Sequence, residues 1–238
     1  MTEVDAPRMH ARTVAAFDFD GTLLRRDSMM PFLRSVAGTV ELAKALVAVA
    51  GPAANALLVD RGDRSGGRGA AKEQLFRRLL AGRTHADLVR AGQRFAHDLV
   101  GGQQLRADVY ERWQHHLSAG HELVIVSASL QLYVDPLARL LGGAAGLGTR
   151  LLVGPDGRIS GALDGPNCRG AEKVRRLTSW LGDTVPNGAD PTDVFLYAYG
   201  DSAGDDELLR HADVGTRIGR RRLDSDGRLA PGGYRGSA

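Results

Sequence analysis

The sequence predicts an α/β fold, in which a doubly wound parallel sheet carries an inserted helical cap domain. Three short apolar runs end on polar residues, as buried parallel strands do: residues 13–19 (TVAAFDF), 122–126 (ELVIV) and 194–199 (VFLYAY). Helical patterns follow the second and third runs, at 130–141 and 205–211. Because ligands bind at the carboxyl ends of the strands in such sheets, the polar strand ends predict where the site lies.

The long segment between the first two strands predicts the insert. About a hundred residues lie there, far more than one crossover helix requires. Helical patterns cover residues 30–49, 70–81, 84–100 and 105–118, and the last is the predicted crossover helix into the second strand. We therefore predict an α/β core of residues 1–25 and 104–238, and a helical cap of residues 26–103.

Three further segments have sequence patterns that predict local structure. The glycine-rich residues 60–69 predict a mobile loop within the cap. Two strand-like runs within residues 149–163, on either side of Pro155-Asp156-Gly157, predict a β-hairpin. Residues from 225 onward contain glycines and few apolar side chains, which predicts a loosely ordered tail.

Composition narrows the class of protein. Hydrophobic residues make up 43% of the 238 and charged residues 25%, which is typical of a soluble enzyme or binding domain. The net charge of +3 does not indicate a nucleic-acid partner, because only residues 220–222 form a basic run and aromatics make up 5%. Cys168 is the only cysteine, so an internal disulfide and a thiolate zinc site are excluded. With no apolar stretch long enough for a signal peptide or a membrane span, we predict a cytoplasmic protein.

The first candidate motif, Asp18-Phe19-Asp20-Gly21-Thr22, directly follows the first predicted strand. Two carboxylates two residues apart on a strand share a face, and at a strand end both can approach one cation. An acidic pair in a loop is common, so this motif gains weight only from the motifs that follow.

Two more polar groups are expected at helix starts. Ser127 and the backbone N–H of Ala128 precede a predicted helix, where a hydroxyl and exposed N–H groups bind phosphate oxygens. Capping of that helix is the alternative role for Ser127. Lys173 lies in the first turn of another predicted helix, against the local dipole, and so favours a nearby anion. Simple solvation at the surface is its alternative.

An acidic cluster follows the third strand, in the segment Gly200-Asp201-Ser202-Ala203-Gly204-Asp205-Asp206. Its three carboxylates repel one another unless a divalent cation or a lysine offsets their charge. The alternative is a solvated acidic turn, which the apolar strand leading straight into the cluster disfavours.

Together the four motifs resemble those of the haloacid dehalogenase superfamily of phosphohydrolases. The resemblance rests on their order, Asp-x-Asp, Ser, Lys and Asp-Ser-x-x-Asp, which is more specific than any single motif, and it covers nearly the whole chain. The helical insert after the first motif and the hairpin around Asp156 are similar to those of the phosphoserine-phosphatase-like branch, subfamily IB with a helical C1 cap.

The resemblance implies a phosphomonoesterase that uses Mg²⁺ and passes through an aspartyl-phosphate. Asp18 would be the nucleophile, and Asp20 the general acid and base. The phosphate-binding groups implied are Ser127, Ala128, Lys173, Gly21 and Thr22. Mg²⁺ would be held by the Asp18 carboxylate, the Asp20 backbone carbonyl and Asp201, with Asp205 and Asp206 orienting these ligands from behind.

The residue at position 20 favours hydrolysis over a persistent phosphorylated state. Ion-pumping members of the superfamily have threonine at this place and retain the aspartyl-phosphate. An aspartate such as Asp20 is able to protonate the leaving alkoxide and then to deprotonate water.

Two differences from the motifs of phosphoserine phosphatases mean that the resemblance does not identify the substrate. Phosphoserine phosphatases usually have Asp-x-Asp-Ser-Thr and Ser-Gly-Gly, whereas this chain has Gly21 before Thr22 and Ser127-Ala128-Ser129. Asp27 falls where a family carboxylate binds the substrate ammonium, so phosphoserine remains an alternative substrate. The other role for Asp27 is to cap the helix that begins near residue 30.

The apolar residues 46–59 (LVAVAGPAANALLV) favour a different substrate. The stretch is too short to span a bilayer and is broken by Gly51-Pro52, so it predicts either a buried pair of cap helices or an apolar surface. Some relatives in the branch act on phospholipid head-group phosphates. We therefore hypothesise a small or lipid-linked phosphomonoester, with peripheral membrane contact as a consequence.

Two other classes of protein are weighed against the phosphatase. A receiver-type signalling domain also places an acidic pair, a hydroxyl and a lysine around Mg²⁺, but it is about half this length and has no cap. The glycines and lysine of residues 66–72 (GGRGAAK) partly match a nucleotide-binding loop. The segment lacks the Gly-Lys-Ser/Thr ending and a preceding predicted strand, which disfavours a nucleotide-binding module.

Overall fold

A five-stranded parallel sheet forms the centre of the structure, a computed structural model that describes residues 12–59, 64–102, 104–184 and 193–219. The strands in chain order are β1 (Arg12–Phe17), β2 (Glu122–Leu130), β3 (Ala145–Thr149), β4 (Leu151–Val153), β5 (Ile159–Leu163), β6 (Val194–Gly200) and β7 (Val214–Arg217). The sheet order is β3-β2-β1-β6-β7, and β4 and β5 form a separate antiparallel hairpin.

The register of the central strands brings the predicted motifs to one edge. Phe17 near the end of β1 lies beside Ile125 of β2 and Tyr199 of β6. The residues that follow these three positions therefore emerge together at the carboxyl edge of the sheet. They include Asp18 and Asp201.

Eight helices surround the sheet in the described ranges. They are α1 (Met29–Ala37), α2 (Thr39–Val59), α3 (Arg64–Leu80), α4 (His85–Gly101), α5 (Ala107–Ser118), α6 (Gln131–Leu140), α7 (Ala171–Asp183) and α8 (Asp206–His211). The first four form the helical insert, and α5 is the crossover helix into β2. The predicted fold class, a doubly wound parallel sheet with a helical insert, is confirmed, while the exact boundaries between core and cap stay a prediction.

Both faces of the sheet are buried, as a doubly wound fold requires. Ala15 and Phe17 of β1 pack into one apolar cluster, and Val14 and Ala16 pack into the cluster on the other face. All four are fully buried, which explains why the strand reads as a continuous apolar run. The ring of Phe17 stacks on that of Tyr199 at 4.4 Å between centroids.

Two strands were not predicted, and each has a physical reason. β3 has the sequence AGLGT, in which Gly146 lies so close to α6 that a Cβ would come within 2.4 Å of Asp135 backbone atoms. Close packing therefore requires glycine at a strand position where it weakens the sequence pattern. β7 is four residues long and largely exposed, so it shows no apolar run.

Part of the predicted loop at residues 60–69 is helical. Residues 64–69 belong to α3, and residues 60–63 lie outside the described part of the chain. Helix α2 also continues through Gly51 and Pro52, where the sequence predicted a break. A proline removes one N–H from a helix without obliging it to end. The predicted tail from residue 225 falls outside the described residues.

Helix α2 has both a buried and an exposed apolar face. Ala45 and Val49 are buried, whereas Val40 and Val47 are 65% and 76% exposed. Of the two alternatives predicted for residues 46–59, an apolar surface therefore applies to Leu46 and Val47, and burial applies to Val49. Over the described ranges, no helix combines the length and the apolar character that crossing a membrane would need.

The hairpin of β4 and β5, predicted from residues 149–163, joins the core to the insert. Backbone hydrogen bonds link Ile159 to the turn between α3 and α4, from Gly82 N–H to Ile159 O (2.8 Å) and from Ile159 N–H to Arg83 O (2.9 Å). Gly161, at φ 85°, lies so close to α3 that a Cβ would be 2.5 Å from the Arg77 Cα. The insert is therefore attached to the core away from its own chain connections.

A buried histidine lies below the sheet on α5. His116 is 4% exposed, with one ring nitrogen 2.8 Å from the Tyr199 hydroxyl and the other 2.8 Å from the His121 ring. A neutral ring meets both contacts by donating from one nitrogen and accepting at the other. Burial, with the nearby His121 charge, lowers the pKa of His116 to about 4.

This depressed pKa predicts a loss of stability in mild acid. The pKa rises to its ordinary 6.5 on unfolding, so between about pH 6.5 and 4 the unfolded chain binds more protons than the folded one. We expect the free energy of unfolding in urea to fall as the pH drops through this window, by at most ~1.4 kcal/mol per pH unit for this one proton. His116→Gln should flatten the slope, whereas His97→Gln, at an exposed site on α4, should not. Equal slopes in the two variants would contradict the assignment.

Candidate active site

Asp18 is held firmly at the end of β1. Its backbone N–H donates to the carbonyl of Tyr199 on β6 (2.8 Å), and its carboxylate is 6% exposed. The Thr22 hydroxyl donates to Asp18 Oδ2 (3.0 Å), and Lys173 Nζ donates to Oδ1 (2.6 Å). Both carboxylate oxygens are therefore fixed in direction.

Lys173 lies between two buried carboxylates. Its Nζ donates to Asp18 Oδ1 and to Asp205 Oδ1, both at 2.6 Å, and the residue is 1% exposed. It is the third residue of α7, which begins after Gly170 at a positive φ of 60°. The expected anion beside this lysine is thus a pair of carboxylates, and surface solvation is excluded.

Asp18, Lys173 and Asp205 form a buried charged triad, in which each charge affects the pKa of its neighbours. Burial raises the pKa of Asp18, against the opposing charge of Lys173. Burial also disfavours the charged form of Lys173, but the two carboxylates outweigh it and its pKa is raised. The pKa of Asp205 is lowered because Lys173 and hydrogen bonds from Ser202 outweigh burial. At neutral pH the triad therefore contains a protonated lysine beside an ionised Asp205.

Asp20, two residues along, is held by separate donors. Its Oδ1 accepts from the Ser28 backbone N–H (2.9 Å), and its Oδ2 accepts from the Ser129 hydroxyl. Burial raises the pKa of Asp20 to about 7, although these hydrogen bonds oppose the shift. A carboxyl with such a pKa is able both to give and to take a proton near neutral pH.

Other hydroxyls form a layer behind Asp20. The Ser28 hydroxyl lies 3.3 Å from the Ser129 hydroxyl and 3.0 Å from that of Tyr133. All three residues are buried. From sequence, Ser129 was noted only as a departure from the family motif, and neither Ser28, which precedes α1, nor Tyr133 of α6 was identified.

The acidic cluster after β6 is brought against Asp18. Carboxylate oxygens of Asp18, Asp201 and Asp205 lie within 4.8 Å of one another. Asp205 Oδ2 accepts from both the backbone N–H and the hydroxyl of Ser202 (2.9 Å each), so its two oxygens already have partners. Asp205 is 1% exposed, whereas Asp201 is half-buried, so Asp201 is the residue of this acidic segment that is more accessible to a cation.

Gly21 makes room for Asp201. At φ 88°, it lies so close to the Asp201 carboxylate that a Cβ would be 2.4 Å from Oδ2. Its carbonyl accepts from Arg106 Nη1 (3.0 Å), which fixes the turn. Oxygen donors gathered in this way are the ligands that Mg²⁺ prefers, so the residues present fit such an ion.

Ser127 and Ala128 belong to β2, which continues to Leu130, and not to a helix start as predicted. The β2–β3 pairing carries the strand further and shifts register between Val126 and Leu130. Ser127 is buried, and its Oγ accepts from the Ser129 backbone N–H (3.1 Å). Ser127 therefore does not cap α6, the alternative role considered from sequence.

Two predicted residues have other contacts. Asp27 is exposed, and its Oδ2 accepts from the Met30 backbone N–H (3.2 Å), the capping contact predicted as its alternative role. Asp206 accepts from the guanidinium of Arg217. Their expected roles in substrate binding and in orienting metal ligands stay predictions.

Lys72, Asn167 and Arg106 reach the site without having been predicted. Lys72 Nζ donates to the Ala128 carbonyl (2.5 Å) and to Asn167 Oδ1 (2.9 Å). From sequence, Lys72 was considered only within the rejected nucleotide-binding segment. The one feature of the sequence that could have drawn attention to it is that the chain contains only three lysines.

The chain is similar to known hydrolases in sequence. The sequence profile of the haloacid dehalogenase-like hydrolases matches residues 15–210. Protein CicA from Caulobacter vibrioides is 40% identical over 218 residues, covering 89% of this chain and 88% of that protein. A probable phosphatase from Mycobacterium tuberculosis is 29% identical over 225 residues, covering 88% of this chain and 70% of its own length.

Solved structures share the fold. A protein of unknown function from Bordetella pertussis matches with a TM-score of 0.66 at 25% identity, covering 84% of this chain and 86% of that one. A phosphoserine phosphohydrolase-like protein from Francisella tularensis gives a TM-score of 0.53 at 16% identity, covering 85% and 84%. A substrate-bound phosphoserine phosphatase gives 0.53 at 19% identity, covering 89% and 87%. These last two likenesses are of fold alone, whereas the profile match confirms the predicted resemblance to the superfamily.

The buried triad predicts that Lys173 is needed for folding stability. Lys173→Met leaves Asp18 and Asp205 buried without their shared cation, so we expect the free energy of unfolding at pH 7 to fall by about 3–5 kcal/mol. The matched control Lys44→Met removes a lysine that is 67% exposed and should change stability by less than about 1 kcal/mol. The double variant Lys173→Met/Asp205→Asn should regain part of the loss. A cost for Lys173→Met no larger than that of the control would contradict the triad.

Proposed function

Since the chain belongs to the haloacid dehalogenase-like hydrolase family, we propose that it is a Mg²⁺-dependent phosphomonoesterase that transfers a phosphoryl group to Asp18 and then to water. The observation that carries the proposal is the pair of carboxyls after β1. Asp18 is oriented by Lys173 and Thr22, and Asp20 nearby has a pKa of about 7. Asp18 is suited to attack phosphorus, and Asp20 is suited to donate and accept a proton.

Similarity to a probable phosphatase over most of the chain supports this reaction. Membership of a hydrolase family, together with the helical insert of α1 to α4, disfavours the receiver-type signalling domain considered from sequence. The segment of residues 66–72 lies within α3, and the described element before it is the helix α2, which also disfavours a nucleotide-binding loop.

In the proposed first step, Asp18 attacks the phosphorus of the ester. Thr22 and Lys173 hold its two oxygens, which leaves a fixed direction for attack. The bond between phosphorus and the ester oxygen breaks, and protonated Asp20 gives its proton to the departing alkoxide. The products are an alcohol and an aspartyl-phosphate on Asp18.

In the second step, ionised Asp20 takes a proton from water, and the water oxygen attacks phosphorus. The phosphorus–Asp18 bond breaks, and free phosphate and the Asp18 carboxylate are restored. The Ser129 hydroxyl and the Ser28 N–H hold Asp20 in place during both proton transfers. Lys173 and the Ser127 hydroxyl would bind the phosphoryl oxygens, which lowers the cost of gathering negative charge in the site.

The metal site of the proposal uses the acidic cluster at the sheet edge. The Asp18 carboxylate, the Asp20 backbone carbonyl and Asp201 would hold Mg²⁺, with Asp205 orienting Lys173. The approach of the Asp18 and Asp201 oxygens, with Gly21 leaving space, supports this set. When bound, the ion would neutralise the charge on the transferring phosphoryl group.

A substrate with an apolar part is favoured by the surface of the insert. Val40, Leu46 and Val47 of α2 are 65%, 42% and 76% exposed, which is unusual for large apolar side chains on one helix. We propose a lipid-linked or otherwise partly apolar phosphomonoester. Phosphoserine is the alternative, and the exposed carboxylate of Asp27, the expected ammonium ligand, is the feature that favours it.

The mechanism predicts different effects for the two carboxyls after β1. Asp18→Asn is nearly isosteric but is a poor nucleophile, so we expect kcat to fall by roughly three orders of magnitude or more. Asp20→Asn should slow both steps and lower kcat by about 10²- to 10⁴-fold. Release of phosphate from p-nitrophenyl phosphate with Mg²⁺ measures both, and activity should vanish in chelator. Asp98→Asn, at an exposed site on α4, is the control. Near-normal activity of folded Asp18→Asn would rule out the mechanism.

The substrate proposal predicts a preference that steady-state kinetics can measure. We expect kcat/KM for a lysophosphatidate-like ester to exceed that for phosphoserine. Val47→Asp, which places a charge on the exposed face of α2, should lower the first value and leave the second unchanged. A hundredfold preference for phosphoserine, on the order of 3 kcal/mol of discrimination, would reverse the assignment.

A further inference from the structure

Lys72 is a cation of the helical insert that reaches into the core. It lies in α3, half-buried, and its Nζ donates to the Ala128 carbonyl on β2 at 2.5 Å. A second hydrogen bond runs to Asn167 Oδ1 at 2.9 Å. The only other lysine of the insert, Lys44, is instead exposed on α2 and pairs with its helix neighbour Glu41.

The acceptors of Lys72 are fixed by a neighbouring hydroxyl. Thr149 is 1% exposed, and its Oγ1 lies 2.8 Å from both the Ala128 carbonyl and Asn167 Oδ1. Its own oxygen accepts from the Cys168 backbone N–H (3.2 Å). The ammonium of Lys72 therefore binds two acceptors whose positions are fixed by Thr149. A side chain without hydrogen-bond donors at position 72 leaves both acceptors without this partner.

The peptide that Lys72 contacts leads directly to the reacting groups. The N–H of the same peptide unit belongs to Ser129 and donates to Ser127 Oγ (3.1 Å). The Ser129 hydroxyl in turn donates to the carboxylate of Asp20. A cation on the carbonyl side of a peptide strengthens the hydrogen bond made by its N–H. Lys72 thus acts on both serines through one peptide.

The charge of Lys72 is present at neutral pH. Burial lowers its pKa to about 8, and the negative charges of Asp20 and Asp27 oppose a larger shift. The ammonium form therefore predominates at pH 7. A charged donor on a backbone carbonyl makes one of the stronger hydrogen bonds available to a protein.

From this geometry we propose that Lys72 is a positioning residue, through which the docked helical insert holds residues 127–129 in the arrangement needed for catalysis. The inference rests on the proposed phosphatase function. It assigns to the insert a part in the chemistry besides enclosing the substrate. Turnover is then coupled to docking of α3 on the core, because the phosphate-binding serine and the donor to Asp20 are both set by a side chain of the insert.

The test compares Lys72→Met with Lys72→Arg and with the matched control Lys44→Met, using p-nitrophenyl phosphate and phosphoserine in Mg²⁺. We expect Lys72→Met to lower kcat for both esters by about 10- to 100-fold, the effect of losing a charged hydrogen bond, with KM changed by less than about threefold. Lys72→Arg should recover part of kcat. Lys44→Met should match the parent enzyme, and all four proteins should show similar thermal unfolding midpoints.

Each outcome decides the inference. Equal kcat values for Lys72→Met and the active parent would overturn it and leave the phosphatase function standing. A loss confined to phosphoserine and seen in KM would also overturn it, by making Lys72 a substrate contact. An inactive parent would remove the proposed function and this inference with it. If Lys72→Met does not fold, Asn167→Ala removes one acceptor and should lower kcat by about 3- to 10-fold, and an unchanged kcat in that variant would equally overturn the inference.

Discussion

The site depends on one ammonium group buried between two carboxylates. A parallel sheet directs the residues after β1 and β6 to the same edge, where Asp18, Asp201 and Asp205 gather within 4.8 Å. Their mutual repulsion in a buried setting would be costly without a compensating charge. Lys173 supplies that charge at 2.6 Å from two of them, and it thereby also fixes the direction of the Asp18 carboxylate.

Two glycines next to the triad allow acidic side chains to lie close to the backbone. Gly21 lets the Asp201 carboxylate come near the turn after β1, and Gly200 faces Asp205, where a Cβ would lie 2.4 Å from the Asp205 Cβ. Asp20 stands apart from the triad and is held by the Ser129 hydroxyl and the Ser28 backbone N–H. Two carboxyls two residues apart thus have different hydrogen-bond partners, while burial raises the pKa of both.

The parts of the site that depend on local sequence pattern could be predicted. β1, β2, β6 and the four motifs lie in short continuous segments, and register alone brings their ends together. Ser28, Tyr133 and Lys72 escaped prediction because their contacts arise only when distant segments pack. Ser127 was expected at a helix start, but pairing with the glycine-rich β3, itself invisible in the pattern, extends β2 beyond it.

In the proposed reaction, Asp18 carries the phosphoryl group. Mass spectrometry of acid-quenched Asp20→Asn protein, mixed with substrate and Mg²⁺ and then digested, is a direct test. We expect one phosphoryl group on the peptide that contains Asp18, absent when chelator replaces Mg²⁺. Turnover by the parent enzyme with no phosphoryl group on that peptide, or with the group on Ser127 instead, would contradict it.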